Sequence, residues 1–139
     1  PNDLSETVKT VMMLGEYMHR NYNGRYYAKA QNLSRTLRDA YDAALSEYDV
    51  IVLPTLPQTA TKLPAPDCSR EDYLDTALNM IRNTSPFDCS GHPAISIPCG
   101  KSSGGLPIGM MIVGKHYDDA SVLRVARAYE KKAGSWKKN

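Results

Sequence analysis

The chain has 139 residues, a formal net charge of +2, and a composition that is 42% hydrophobic and 23% charged. This is an ordinary globular composition, of a length that suits one compact domain or a piece of a larger one. A charge this near neutral supplies no field for nucleic acid, and no apolar run approaches the roughly 20 residues that a membrane-spanning helix needs.

The N-terminus, Pro1-Asn2-Asp3-Leu4-Ser5-Glu6, shows neither the basic region nor the apolar core of a signal peptide. It also lacks an initiator Met, so we expect numbering that begins inside a longer chain. Asp3 with Glu6 has capping-box spacing. Leu4, Val8, Val11, Met12, Gly15 and Met18 then predict a helix to about His19, broken by Asn21, Asn23 and Gly24. Tyr26, Ala30, Leu33, Leu37, Ala40, Ala44 and Tyr48 recur at intervals of three and four and predict a long amphipathic helix with that stripe buried.

Asp49 to Leu53 is a short β-branched run ended by Pro54, the pattern of a strand covered on both faces. Pro54, Pro57, Pro64 and Pro66 make the next stretch a loop. Ser69 to Asp72 offers a cap for a third helix through Tyr73, Leu74, Ala77, Leu78 and Ile81, ending near Asn83. The stretch from Thr84 to Pro93 is small, polar and turn-rich. Strands are expected at Ala94–Pro98 and Ile108–Gly114, joined by a turn at Gly104-Gly105. Glycines at both ends of the second strand suggest close backbone approach. Asp118 or Asp119 caps a last helix that Gly134 closes. Helices alternating with short apolar strands give an α/β class.

The residues offer no complete catalytic set. His19, His92 and His116 sit on three different elements without HExxH or HxH pairing, so no metal site is expected. His92, between Gly91 and Pro93, either lines a site or, more plainly, bonds to a loop carbonyl. In Lys101-Ser102-Ser103-Gly104-Gly105 a serine stands near a lysine, but adjacent residues rarely form a triad and a turn is needed there anyway. Three cysteines without CxxC spacing argue against a disulfide framework and a structural zinc site, and fit a reduced cytoplasmic compartment. Cys89 and Cys99 are candidate thiols, with buried inert cysteine the plainer reading. Lys131-Lys132 and Lys137-Lys138 are read as a solvated helix end rather than a phosphate site.

Four strings in register nevertheless resemble the C-terminal third of the amidase signature family. They are Tyr48 to Thr55, Thr84 to Gly100, Gly105 to Gly114, and Leu123 to Glu130. With Gly24 to Ala30, the chain looks most like the bacterial amidases that accompany nitrile hydratase. The resemblance implies part of an α/β/α sandwich with a mixed central sheet, and hydrolysis of carboxylic amides to acid and ammonia. It implies a serine nucleophile, a second serine in a cis peptide and a lysine, all N-terminal to this segment. Ser102 and Ser103 echo the family's Gly/Ser-rich signature but stand in the wrong place in its order, so no catalytic residue is assigned here. No cofactor is implied, and the implied partners are a small amide, the rest of the amidase and a second copy in a homodimer.

On this reading the segment supplies scaffold and the wall of an acyl pocket, with Leu78 and Ile81 as the substrate-facing candidates; the alternative is that both are plain core. Glutaminase-type members carry an acidic residue where Ile81 stands, and an apolar side chain cannot pair a buried ammonium. Ile81 therefore favours aliphatic or aromatic amides. Asp88 stands where many members carry Asn. Two other readings stay open: a catalytically inactive binding module, and a member of the amidotransferase type. The isolated segment is expected to lack activity, and to aggregate or bind its missing half.

Overall fold

The computed structural model describes residues 3–134. In chain order the elements are α1 (Glu6–Tyr22), α2 (Arg25–Glu47), β1 (Ile51–Pro54), α3 (Arg70–Asn79), α4 (Ser85–Ser90), β2 (Ala94–Lys101), β3 (Pro107–Val113) and α5 (Asp119–Ala133).

Local chemistry sets most of the boundaries. Ser5, not Asp3, caps α1, its hydroxyl accepting from the Val8 N–H at 3.4 Å. Asp and Ser cap helices equally well, so composition did not choose between them. α1 ends where Asn23 and Gly24 both adopt left-handed backbone, at φ 46° and 74°. Ser69 caps α3 through the Asp72 N–H at 3.0 Å. Asp118 caps α5 through the Ser121 N–H at 3.2 Å. Between Thr84 and Gly91, where a plain loop was expected, α4 forms one short helix with Pro86 in its first turn, a position that tolerates the missing N–H.

The three strands form one antiparallel sheet in the order β1-β3-β2, with Ile51 opposite Val113 and Ala94 also opposite Val113. Helices cover both faces, and the two-residue period of β3 divides the core between them. Met111 and Val113 pack with Phe87 of α4, and with Tyr41, Ile51 and Leu53. Ile112 faces the other way and packs with Ile97 of β2 and with Val122 and Ala126 of α5. Ile112 and Val113 are fully buried, and each such side chain contributes about 1.5–3 kcal/mol relative to exposure. This is the expected α/β class with helix layers on either side of the sheet.

Two expectations need correction. β1 is an outer strand among the described residues, and it is not covered on both faces. Ile51 and Leu53 are half-buried, whereas Val52 is 53% exposed. The reason is that α5 lies over β2 and β3. Along α2 the buried face is also not the predicted stripe. Leu45 is buried and Leu37, Tyr41 and Ala44 are half-buried, while Tyr26, Leu33 and Tyr48 are exposed. Only the C-terminal half of α2 lies against the sheet through α4, so the stripe had no surface to follow along its whole length.

Close approach explains the two glycines that end the central strand. A Cβ on Gly114 would run into Val122 Cγ2, so α5 can sit this near β3 only because that side chain is absent. Pro98 lies in the outer strand β2, where a missing N–H is tolerated. The register shifts by one residue between Pro98 and Gly100.

Candidate functional site

At the end of the sheet where β1 finishes, the chain turns over the strands and encloses a cleft of about 590 Å³. That volume lies in the usual range for small-molecule sites. The floor is made by Thr55, Ser96 and Gly109. Thr55 continues the pairing of β1, its N–H bonding the Gly109 carbonyl at 2.9 Å. Its hydroxyl then meets Ser96 Oγ at 2.6 Å. A Cβ on Gly109 would stand 2.8 Å from Thr55 Oγ1 and 2.9 Å from Ser96 Oγ, so the hydroxyl pair exists because residue 109 is glycine. Leu56, Pro57, Ile97, Pro98 and Ile108 make most of the wall.

This lining contains no carboxylate, imidazole, amine or thiol. A hydroxyl without an adjacent base is a weak nucleophile. The cleft therefore presents an apolar surface punctuated by the hydroxyls of Thr55, Thr59 and Ser96 and the Gln58 amide, and its own residues have nothing with which to activate an attack.

Leu78 and Ile81 do not line this cleft; both are about half exposed. α3 stops at Asn79, so only Leu78 is helical. Ile81 follows in a turn, its N–H reaching the Leu78 carbonyl at 3.4 Å. The turn is fastened to the cleft. Asn83 Nδ2 donates to the Pro54 carbonyl at 2.8 Å, one residue before Thr55. Asp88 is exposed on α4.

The Lys101 to Gly105 string forms the expected turn. Gly105 N–H bonds the Ser102 carbonyl at 2.9 Å, and Ser102 Oγ accepts from the Leu106 N–H at 3.2 Å. Cys89 and Cys99 are exposed free thiols, against the buried reading, because α4 and the outer strand β2 each turn one side to solvent. Lys131 and Lys132 lie in the last turn of α5, as expected; Lys137 and Lys138 lie outside the described residues.

His92 is the site feature that spacing did not reveal. Its side chain is fully buried, and its partners are side chains rather than a loop carbonyl. Nδ1 lies 2.9 Å from Ser90 Oγ, and Nε2 lies 3.2 Å from Asp42 Oδ1. The ring of His116 stacks beside it, with centroids 4.0 Å apart. Burial holds the His92 pKa below its ordinary value; the Asp42 hydrogen bond works against that shift, and the neighbouring His116 adds to it. Asp42, His92 and His116 each bring one donor atom into a group whose members all lie within 4.8 Å of one another. They come from α2, the α4–β2 connection and the β3–α5 connection, so no motif spacing could link them.

A protein-family model described as Amidase matches residues 1–123. The chain belongs to the amidase family. It is 55% identical over 136 residues to an enantioselective amidase of Rhodococcus rhodochrous, covering 97% of this chain and 26% of that one. It is 51% identical over 133 residues to an uncharacterized protein in the nthA 5′ region of Rhodococcus erythropolis, covering 96% of this chain and 66% of that one. These two relatives bear out the resemblance to nitrile-hydratase-associated amidases. The crystal structure of a glutamyl-tRNA(Gln) amidotransferase polypeptide from Thermotoga maritima superposes with a TM-score of 0.66 at 33% identity, over 93% of this chain and 28% of that one. This amidase segment thus spans 26–28% of the length of two of these relatives and 66% of the third.

Proposed function

We propose that the complete polypeptide carrying this segment is an amidase that hydrolyses aliphatic or aromatic carboxylic amides to acid and ammonia. The segment supplies scaffold and the wall of the acyl pocket. The observation that carries this reading is the cleft over Thr55, Ser96 and Gly109, which is apolar, ligand-sized and without a titratable group. Such a cleft complements the acyl side of a neutral amide and needs its chemistry brought from elsewhere.

The serine, cis-serine and lysine expected of the family belong, on this reading, to polypeptide N-terminal to the segment. No cis peptide bond occurs among the described residues. Ser102 is occupied in its turn, and removing an activated nucleophile with its base typically costs several orders of magnitude in rate. The exposed Val11, Met12, Met13 and Leu14 of α1 are the apolar surface against which the remaining polypeptide packs. On this reading Leu78 and Ile81, outside the cleft lining of this segment, face the acyl group once the remaining polypeptide is in place. We place the enzyme in the cytoplasm as a homodimer; among the described residues no helix is long and apolar enough to cross a membrane.

The amidotransferase reading draws on the 33% identity to the Thermotoga protein. Ile81 weighs against it, since it offers no charge to a glutamine ammonium.

Ammonia release from propionamide and benzamide tests the proposal. The complete polypeptide is expected to turn over both, and Ser102→Ala and Ser103→Ala to stay within about twofold of it. The isolated segment is expected to release none. Turnover by the segment that disappears in either serine variant overturns the assignment of chemistry to the missing portion, and a complete polypeptide inert on both amides overturns the amidase reading.

A further inference from the structure

We propose that Asp42, His92 and His116 form a binding site for a divalent transition-metal ion of the zinc type. The proposal is independent of amide hydrolysis and lies away from the cleft.

The donor set comes first. Two imidazoles and one carboxylate are the borderline-soft ligands that suit zinc, cobalt or nickel better than magnesium or calcium. Each residue brings one donor atom, and all three atoms lie within 4.8 Å of one another. His92 Nε2 and Asp42 Oδ1 are already 3.2 Å apart. That is close to the separation of two ligands on a tetrahedral ion with bonds of about 2.0–2.1 Å.

A second observation is independent of the spacing. His116 Nε2 is buried and has no hydrogen-bond partner. Buried ring nitrogens are almost always satisfied, so an orphan beside a His–Asp pair marks a missing electrophile or donor. A cation held by His116 Nε2 together with Asp42 and His92 would satisfy it.

The surroundings hold the ligands as a metal site requires. Ser90 Oγ supports His92 Nδ1 from behind at 2.9 Å, and the Ser90 carbonyl is fixed by Arg38 Nε at 2.9 Å. A hydroxyl both donates and accepts. With no ion bound, Nε2–H donates to Asp42 and the Ser90 hydroxyl donates to Nδ1. With an ion on Nε2, the ring proton resides on Nδ1 and donates to Ser90 Oγ, the usual arrangement behind a metal-bound histidine. His92 remains neutral in both states, so it takes up and releases no net proton. Gly91, at φ 80°, supplies the left-handed turn that carries the chain from α4 into His92. The Asp42 side chain is 49% exposed, which opens the group to solvent on one side and leaves a coordination position for water. The nearby Arg38 charge opposes a cation, so the affinity is modest.

The test is a titration of the complete polypeptide, stripped with chelator, with cobalt(II) alone at pH 7.5. One equivalent is expected to bind with visible ligand-field bands and no near-ultraviolet thiolate band. Asp42→Asn and His116→Gln are each expected to weaken binding about tenfold or more. In chelator both variants should keep the unfolding midpoint of the parent, and zinc should raise that midpoint only in the parent. Asp42 is half exposed, so its variant keeps the test decisive if His116→Gln fails to fold. No bound cobalt in the parent, binding undiminished in the variants, or a thiolate band that places the ion on Cys68, Cys89 or Cys99 overturns the proposal.

Discussion

Asn83 donates its side-chain amide to the carbonyl of Pro54 at 2.8 Å, joining the turn after α3 to the last residue of β1. The bond spans two elements that share no strand pairing, and it holds the Ile81 turn beside the cleft. Asn83→Ala should lower stability by about 1 kcal/mol, the net worth of such a bond. Denaturant unfolding of the complete polypeptide measures it. An unchanged midpoint would show that the turn is held by something else.

Ile81 is the substrate-selectivity test. Ile81→Asp in the complete enzyme should reduce turnover of apolar amides more than that of amides bearing an ammonium group, because a carboxylate facing the substrate attracts the charged one and offers an apolar one nothing. Specificity constants for paired amides give the answer. Equal losses on both would remove Ile81 from the pocket.

Gly114→Ala should destabilise by about 1–3 kcal/mol, the usual cost of forcing an extra methyl group into a packed contact. The added carbon meets Val122 Cγ2, which is itself buried between α5 and the sheet. Gly104→Ala is the control. Its nearest neighbour would be Ser102 Oγ at 3.8 Å, and it should change stability little. Thermal unfolding of the two variants should separate them clearly; equal midpoints would contradict the close approach of α5 to β3.

His92 gives stability a pH dependence whose sign follows from its burial. Its folded pKa lies below the ordinary value of 6.5, because the buried ring resists charging. As pH falls through 6.5 the unfolded chain takes up the proton first, and stability falls until the folded pKa is reached. Above 6.5 this contribution is fully present. His92→Gln keeps the hydrogen-bonding neighbours but not the titration. The stability difference between parent and variant, measured in chelator from pH 8 to pH 5, should therefore shift against the parent on acidification. A constant difference would assign the pH dependence to other groups.

Much of this fold was legible along the chain because the deciding chemistry is local. Ser69 and Asp118 announce their helices. Asn23 with Gly24 stops one helix and starts the next, and Gly104-Gly105 forms the turn between β2 and β3. What stayed hidden was set by packing between distant residues. Tyr41 and Leu45, not Leu33 and Tyr48, face inward on α2, because α4 covers only one half of that helix. Val52 is exposed because α5 lies over the other two strands. The cleft was half legible: glycine at 109 signalled close approach, but nothing in the order of residues says that Thr55 and Ser96 meet above it. The Asp42, His92 and His116 group carried no signal, since its members are 24 and 50 residues apart.

The strand order also sets a folding sequence. β2 and β3 are joined through residues 102–106, whereas β1 reaches β3 only after the chain has closed a loop from 55 to 109. Closure entropy rises with loop length, and long-range pairing is the slower event. The hairpin is thus expected to form first, with β1 recruited onto it later. In pulse-labelling during refolding, amide protons bonded between β2 and β3 should gain protection before those of Ile51 to Leu53.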